Sequence, residues 1–277
     1  QESVFAHGMW LDPNGRKMSK TLGNTIDLDI LHRYFPTDGV RYFCLREMVF
    51  GQDGRFGYES LIDRTNSDLA SGLGNLSSRT LTMISRYCEG RVPSGKISED
   101  KLLFAKRAGV VTDETAISGF VEHARDQFLM CFDDLAFSRG LEIVWSIIAR
   151  VDKMISDAKP WDLAKDEDQS QTLHAVLYRA AETLRWLCVM LQPVMPAATE
   201  GIYTQLGLRD SLADLDPSEL NWGGLQVGIQ IGEVKPLFPR LDKAKTMAEI
   251  RKGNESVSAL ATDAGAVVSN ETKLPTQ

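Results

Sequence analysis

The sequence predicts a mainly α protein built around an antiparallel helical bundle. Three observations carry that expectation. From Tyr58 onward apolar residues recur at helical spacing almost without interruption. The links between the helical stretches are short and marked by Pro160, Pro193, Pro196 and Gly207. Long helices on short links pack best against their chain neighbours, as antiparallel partners.

Taken in order, the first fifty residues differ from the rest. Ser3–Leu11 mixes β-branched and aromatic residues and reads as a short strand, closed by Asp12-Pro13-Asn14-Gly15, which is strong turn chemistry. The basic stretch Arg16–Lys20 and Thr21-Leu22-Gly23-Asn24 follow. Two short helices are expected near Asp27–Tyr34 and, with Thr37 as N-cap, to about Glu47. Glu59–Cys88 reads as one long helix with an apolar stripe of Leu69, Leu73, Leu76, Met83 and Ile84, stopped at Gly90. Further helical patterns cover Ser98–Ala108, Asp113–Cys131, Asp133–Asp157, Glu167–Met190 and Pro196–Leu206. Gly224–Gly232 alternates and is glycine-rich, so it reads as extended or turn-like; Leu237–Leu241 should dock as an extended segment, and Asp242–Lys252 forms a short helix. The residues after Gly253 read as a linker or tail. These shifts divide the chain into 1–57, 58–223, 224–252 and 253–277.

Composition narrows the function. With 43% hydrophobic and 25% charged residues among 277, the chain has the makeup of a folded globular protein. No apolar run has the roughly 18–20 residues of a membrane span. A formal charge of −7 gives no overall positive field, so any nucleic-acid role must rest on a local patch. Cys44, Cys88, Cys131 and Cys188 are scattered, with no His spaced to complete a zinc site, and read as reduced thiols of a cytoplasmic protein. The chain opens at Gln1 in mid-pattern, so we expect the C-terminal part of a longer protein.

Lys17-Met18-Ser19-Lys20 is the most informative stretch. Two ammonium groups with a hydroxyl between them suit a polyphosphate and can stabilise charge developing on a leaving pyrophosphate. A lone K-x-S-K is more often a solvated turn. Here, however, His7-Gly8, eight residues, and Lys-Met-Ser-Lys-Thr-Leu-Gly-Asn closely resemble the KMSKS loop of class I aminoacyl-tRNA synthetases. Asp38–Glu47 and Phe50-Gly51-Gln52-Asp53-Gly54-Arg55-Phe56 resemble the methionyl-tRNA synthetase family in particular. The resemblance implies that Lys17, Ser19 and Lys20 contact the ATP triphosphate, with Lys20 foremost, and that His7 and Gly8 lie near the nucleotide. Thr21 departs from the family's final Ser but keeps a hydroxyl.

In the long helix, Asn75 and Arg79 are four apart and share a face roughly 80–120° from the apolar stripe, beside Arg86. An amide and a guanidinium suit unstacked bases of an RNA loop, although an ordinary polar flank has the same spacing. Gly74–Arg79 resembles the family's anticodon-facing helix, and Ala158-Lys159-Pro160-Trp161 its second anticodon element. By that resemblance Asn75 and Arg79 contact anticodon bases and Trp161 stacks on one; from position alone Trp161 could equally staple a helix junction. His32, His123 and His174 carry no partner pattern, Trp145 and Trp186 read as core, and Asp166-Glu167-Asp168 fits the first turn of a helix.

The resemblance implies the tail of a Rossmann-like catalytic domain followed by an anticodon-binding bundle, in a methionine–tRNA ligase that uses ATP and Mg²⁺ and charges tRNA(Met). A His-Ile-Gly-His signature is missing from the sequence, as is a zinc-binding cysteine cluster. We therefore expect the N-terminal catalytic half to be a separate requirement and these residues alone to be inactive. A non-catalytic tRNA-binding module, a protein-binding bundle, and a valyl, isoleucyl, leucyl or cysteinyl relative are the alternatives.

Overall fold

The computed structural model describes residues 6–96 and 114–253. It is predominantly helical. The first region is a small unit of short elements. Strand β1 (Trp10–Leu11) pairs in parallel with β2 (Gly54–Arg55), in the register Trp10 to Gly54. The strand expected over Ser3–Leu11 is thus confined, among the described residues, to its last two positions. Between the strands lie α1 (Leu28–Tyr34) and α2 (Thr37–Glu47). Asp27 caps α1 by accepting from the amides of Asp29 and Ile30. Pro36, not Thr37, occupies the N-cap of α2 and caps nothing through its side chain; its φ of −63° leads directly into the helix.

The long helix expected over Glu59–Cys88 runs from Tyr58 to Tyr87 as α3 (Tyr58–Arg64), a π-helical stretch (Thr65–Gly74) and α4 (Asn75–Tyr87). The helical period gives no hint of this widening, which coincides with Gly72 and Gly74, two weak helix formers. Leu69, Leu73, Leu76, Met83 and Ile84 are all buried, as the stripe requires. Gly90, at φ 69°, ends the helix by returning its amide to the Ile84 carbonyl.

Helix α5 (Glu114–Asp133) turns back into α6 (Phe137–Ala158) through Asp134-Leu135-Ala136. Asp133 therefore ends one helix and does not begin the next: Leu135 takes φ 59°, which breaks the continuous pattern. Lys159, also left-handed, separates α6 from the short α7 (Pro160–Leu163). Asp166-Glu167-Asp168 lies at a 3₁₀ turn ahead of α8 (Ser170–Leu191), and α9 (Pro196–Gln205) follows. Helix α10 covers 243–253. The helix expected over Ser98–Ala108 and the tail after Gly253 lie outside the described residues.

Helix α8 is buried on nearly every side, which its all-round apolar sequence demands. Its one fully buried carboxylate, Glu182, is satisfied by six hydrogen bonds. They come from Arg185 Nε and Nη2, Trp186 Nε1, and the amides of Gly223, Gly224 and Leu225. The segment after α9 is thereby tied to the buried α8. Gly224–Gly232 turns at Gly228 (φ 86°) and is bound to the 90–92 segment: Val92 donates to Ile229, Gly228 to Val92 and Ile231 to Gly90. Phe238 is buried, and Asn66 pairs through its side-chain amide with both backbone groups of Leu241.

The core forms two clusters. Ile30, Leu31, Phe35, Phe43, Phe56, Leu61, Ile62 and Ile250 gather beneath the first region, while the helices from Leu69 onward share the larger one. Each buried leucine contributes roughly 1.5–3 kcal/mol relative to exposure. Trp186 is fully buried in the larger cluster; Trp145 only packs against it from the edge, 4.5 Å from the Tyr42 ring. Polar contacts join the two regions. Asp38 accepts from the Ala198 amide at 2.6 Å, capping α9 from outside, and Arg41 donates to the carbonyls of Pro193 and Val194.

Candidate functional site

The basic loop grows directly out of β1. Lys17 forms an antiparallel bridge to Leu11, and the Asp12–Gly15 turn closes with Gly15 donating to the Asp12 carbonyl. Alternation of the extended backbone then sorts the side chains. Arg16 and Met18 line a cleft of ≈570 Å³ shared with Phe56, Tyr58 and Met247. Met18 is partly buried against the smaller core cluster, whereas Lys17 and Lys20 are exposed. An apolar residue between the two lysines is therefore the anchor that keeps both ammonium groups in solvent.

Two side chains that the sequence reading did not single out shape this loop. The Asp12 carboxylate, only 2% exposed, accepts from the amides of Asn14 (2.9 Å) and Arg16 (2.8 Å), from Arg16 Nε (3.0 Å) and from Asn24 Nδ2 (3.0 Å). The Arg16 amide foremost, then Asn24, hold its pKa down to about 2. Asn24 Oδ1 accepts from the Ser19 amide at 2.8 Å, and Nδ2 also donates to the Lys17 carbonyl at 3.2 Å. Ser19 Oγ accepts from the Leu22 amide at 3.1 Å, which leaves its O–H proton to point toward a ligand. The turn closes with Gly23, at φ 61°, donating to Lys20.

His7 is exposed and donates from Nδ1 to the Gly8 carbonyl. Gly8 has a steric reason to be glycine, because a Cβ there would collide with the Gln52 carbonyl. The Phe50–Phe56 segment explains itself in the same way. Gly51 turns at φ 81°, Asp53 Oδ1 accepts from the Met9 amide at 2.7 Å, and a Cβ on Gly54 would meet the Trp10 ring at 2.9 Å. This segment fixes the strand from which the loop emerges.

At the other end of the long helix, Arg79 and Trp161 meet: the guanidinium carbon lies 5.5 Å from the ring centroid. Arg79 Nη1 also donates to Asp152 Oδ1 (3.3 Å) and Ser156 Oγ (3.4 Å) on α6, two partners that the period alone could not reveal. Trp161 follows the left-handed Lys159 and buried Pro160 and is 42% exposed, so it presents surface while also touching Arg79 of the long helix. Asn75, one turn before Arg79, is exposed beside Ser78 and the Pro236–Phe238 segment. Arg86 lies further along the helix over the Tyr87 ring. The helix and the α6–α7 corner together make a polar surface with one aromatic plane, suited to flat, hydrogen-bonding groups.

The chain as a whole is similar to known proteins. Residues 1–81 match the family model described as tRNA synthetases class I (M). The methionine–tRNA ligase of Caldanaerobacter subterraneus subsp. tengcongensis is 38% identical over 254 residues, covering 92% of this chain and 38% of the relative. That of Bacillus subtilis is 37% identical over 252 residues, covering 90% and 36%. Mycobacterium tuberculosis methionyl-tRNA synthetase bound by methionyl-adenylate superposes with a TM-score of 0.71 at 31% identity, covering 84% of this chain and 43% of that one. The chain thus spans less than half the length of the relatives it matches. Across that span, in sequence and in fold, it is similar to methionyl-tRNA synthetases.

Proposed function

We propose that these residues are part of a methionine–tRNA ligase, in which they supply the ATP-phosphate loop and the anticodon-reading surface. The reaction joins methionine and ATP to methionyl-adenylate with release of pyrophosphate, then passes the methionyl group to tRNA(Met) with release of AMP. Lys20 and Lys17 hold the β- and γ-phosphates as charge accumulates on the leaving pyrophosphate, and the Ser19 hydroxyl donates to a phosphate oxygen. His7 and Gly8 border the nucleotide. Supporting this role, both lysines are exposed on a loop whose backbone is already ordered. The carboxylate inside the loop, Asp12, is engaged by four donors and does not suit a cation, so Mg²⁺ is expected to accompany the phosphates of ATP.

Residues 58–223 act in this reading as the anticodon-binding domain, behind a catalytic-domain tail over 1–57. Asn75 and Arg79 hydrogen-bond anticodon bases and Trp161 stacks on one. The single observation that carries it is the Arg79–Trp161 contact, which combines a fork of donors and an exposed aromatic plane at one corner. We expect the protein to work in the cytoplasm, and these 277 residues alone to be unable to activate methionine. Among the described residues no helix is long and apolar enough to cross a membrane.

The test is binding of this chain to a short RNA hairpin carrying the CAU anticodon, against a scrambled hairpin at the same salt. A preference for CAU that falls roughly 5–150-fold in Trp161→Ala, the value of one stacked base, is expected. Equal binding of both hairpins contradicts the anticodon role.

A further inference from the structure

We infer that Asn24, oriented by the buried Asp12, is a positioning residue of the phosphate loop. The inference rests on the reading of Lys17, Ser19 and Lys20 given above. Among the described residues, Asn24 is the one side chain that grips the loop backbone on both sides of Met18: it accepts from the Ser19 amide and donates to the Lys17 carbonyl. Its other Nδ2 proton goes to Asp12 Oδ2. That third contact matters because it fixes the amide orientation. With Nδ2 on the carboxylate, Oδ1 must face Ser19. Asp12 in turn cannot swing away, since the amides of Asn14 and Arg16 hold its Oδ1.

The consequence is a chain of constraint from a buried carboxylate to the two ammonium groups. The Lys17 carbonyl and Ser19 amide are both bound to Asn24, the Met18 side chain packs against the smaller core cluster, and the Lys17 and Lys20 side chains are exposed. Ser19 Oγ meanwhile receives the Leu22 amide. Without Asn24 the loop keeps its charges but loses their spacing, and displacement of a catalytic group by about 1 Å can cost about 10²-fold in rate. Asparagine is needed here because the position must donate twice and accept once. Aspartate, nearly the same shape, can only accept, and it would face the Asp12 carboxylate as a like charge.

The experiment is methionine-dependent ATP–pyrophosphate exchange in the full-length protein, comparing Asn24→Asp, Asn24→Ala and Lys20→Ala. Thermal melting and CAU-hairpin binding are measured in parallel. We expect kcat to fall about 10–100-fold in both Asn24 variants, with the methionine KM, the melting midpoint and hairpin binding unchanged. A residue that merely fills space would tolerate Asp and suffer from Ala; equal damage from both is the signature of lost donors. If Lys20→Ala loses exchange while Asn24→Asp stays within about twofold of the parent, the positioning role is overturned and the phosphate reading survives. If Lys20→Ala keeps full exchange, both fall. A variant that melts earlier and loses hairpin binding together with exchange marks Asn24 as structural, which also overturns the inference.

Discussion

The loop and the helix corner fix their functional side chains by opposite means. Around Lys17–Lys20 there is little regular structure: β1 and β2 are two residues each, and order comes from side chains that bind backbone. Around Arg79 and Trp161, helices supply the order, and side chains need only project from the correct face. The first arrangement depends on a few hydrogen bonds near water; the second depends on a large apolar core. Such a difference suits the proposed tasks. A loop that follows a changing phosphate charge is built on contacts that exchange with solvent, whereas a surface that reads fixed bases is built on a rigid element.

That comparison can be tested from either side. The largest effect is expected in the bundle. Glu182→Ala leaves the buried Arg185 guanidinium without its counter-charge and Trp186 Nε1 and three backbone amides without their acceptor, and should cost about 3–5 kcal/mol in denaturant unfolding. A cost under about 1 kcal/mol would mean that apolar packing alone holds the segment after α9. Next is Lys20→Ala, expected to slow pyrophosphate exchange by about 10²–10³-fold, as loss of one charge-stabilising donor does. A smaller effect is expected for Arg79→Lys, which keeps the charge but loses the planar fork over Trp161; CAU-hairpin affinity should fall by about 1 kcal/mol. The smallest concerns Asp12. Its folded pKa, about 2, lies below the usual carboxylate value, so its contribution to loop order is complete above about pH 4 and is lost as pH falls toward 2. Hydrogen exchange at the Arg16 and Ser19 amides should lose protection across that window. Protection that persists below it would contradict the role of Asp12.

The same contrast decides what was legible in the sequence. Helix faces are periodic, so Leu69, Leu73, Leu76, Met83 and Ile84 could be read as core and Asn75 and Arg79 as flank. Chain reversals inside a continuous apolar pattern were not legible. The apolar pattern places Asp133 at the start of a helix, whereas it ends one, because nothing local distinguishes Leu135 as left-handed. The π-helical stretch is likewise invisible to a 3.6-residue period. In the loop, the basic residues suggest a polyphosphate, but Asp12 and Asn24 look like turn residues. Their mutual contact joins positions twelve apart, and no periodicity reports it. Asp152 and Ser156 escaped for the same reason, lying on α6 far along the chain from Arg79.

In the proposed function one chain carries two separable tasks, phosphate handling at the loop and base reading at the corner. The most direct measurement crosses Lys20→Ala and Trp161→Ala in the full-length protein against two readouts: methionine-dependent pyrophosphate exchange without tRNA, and binding of the CAU hairpin. The account predicts that Lys20→Ala loses exchange and keeps binding, while Trp161→Ala keeps exchange and loses binding. If either substitution moves both readouts together, or if neither variant moves its own, the division of labour proposed for this chain is wrong.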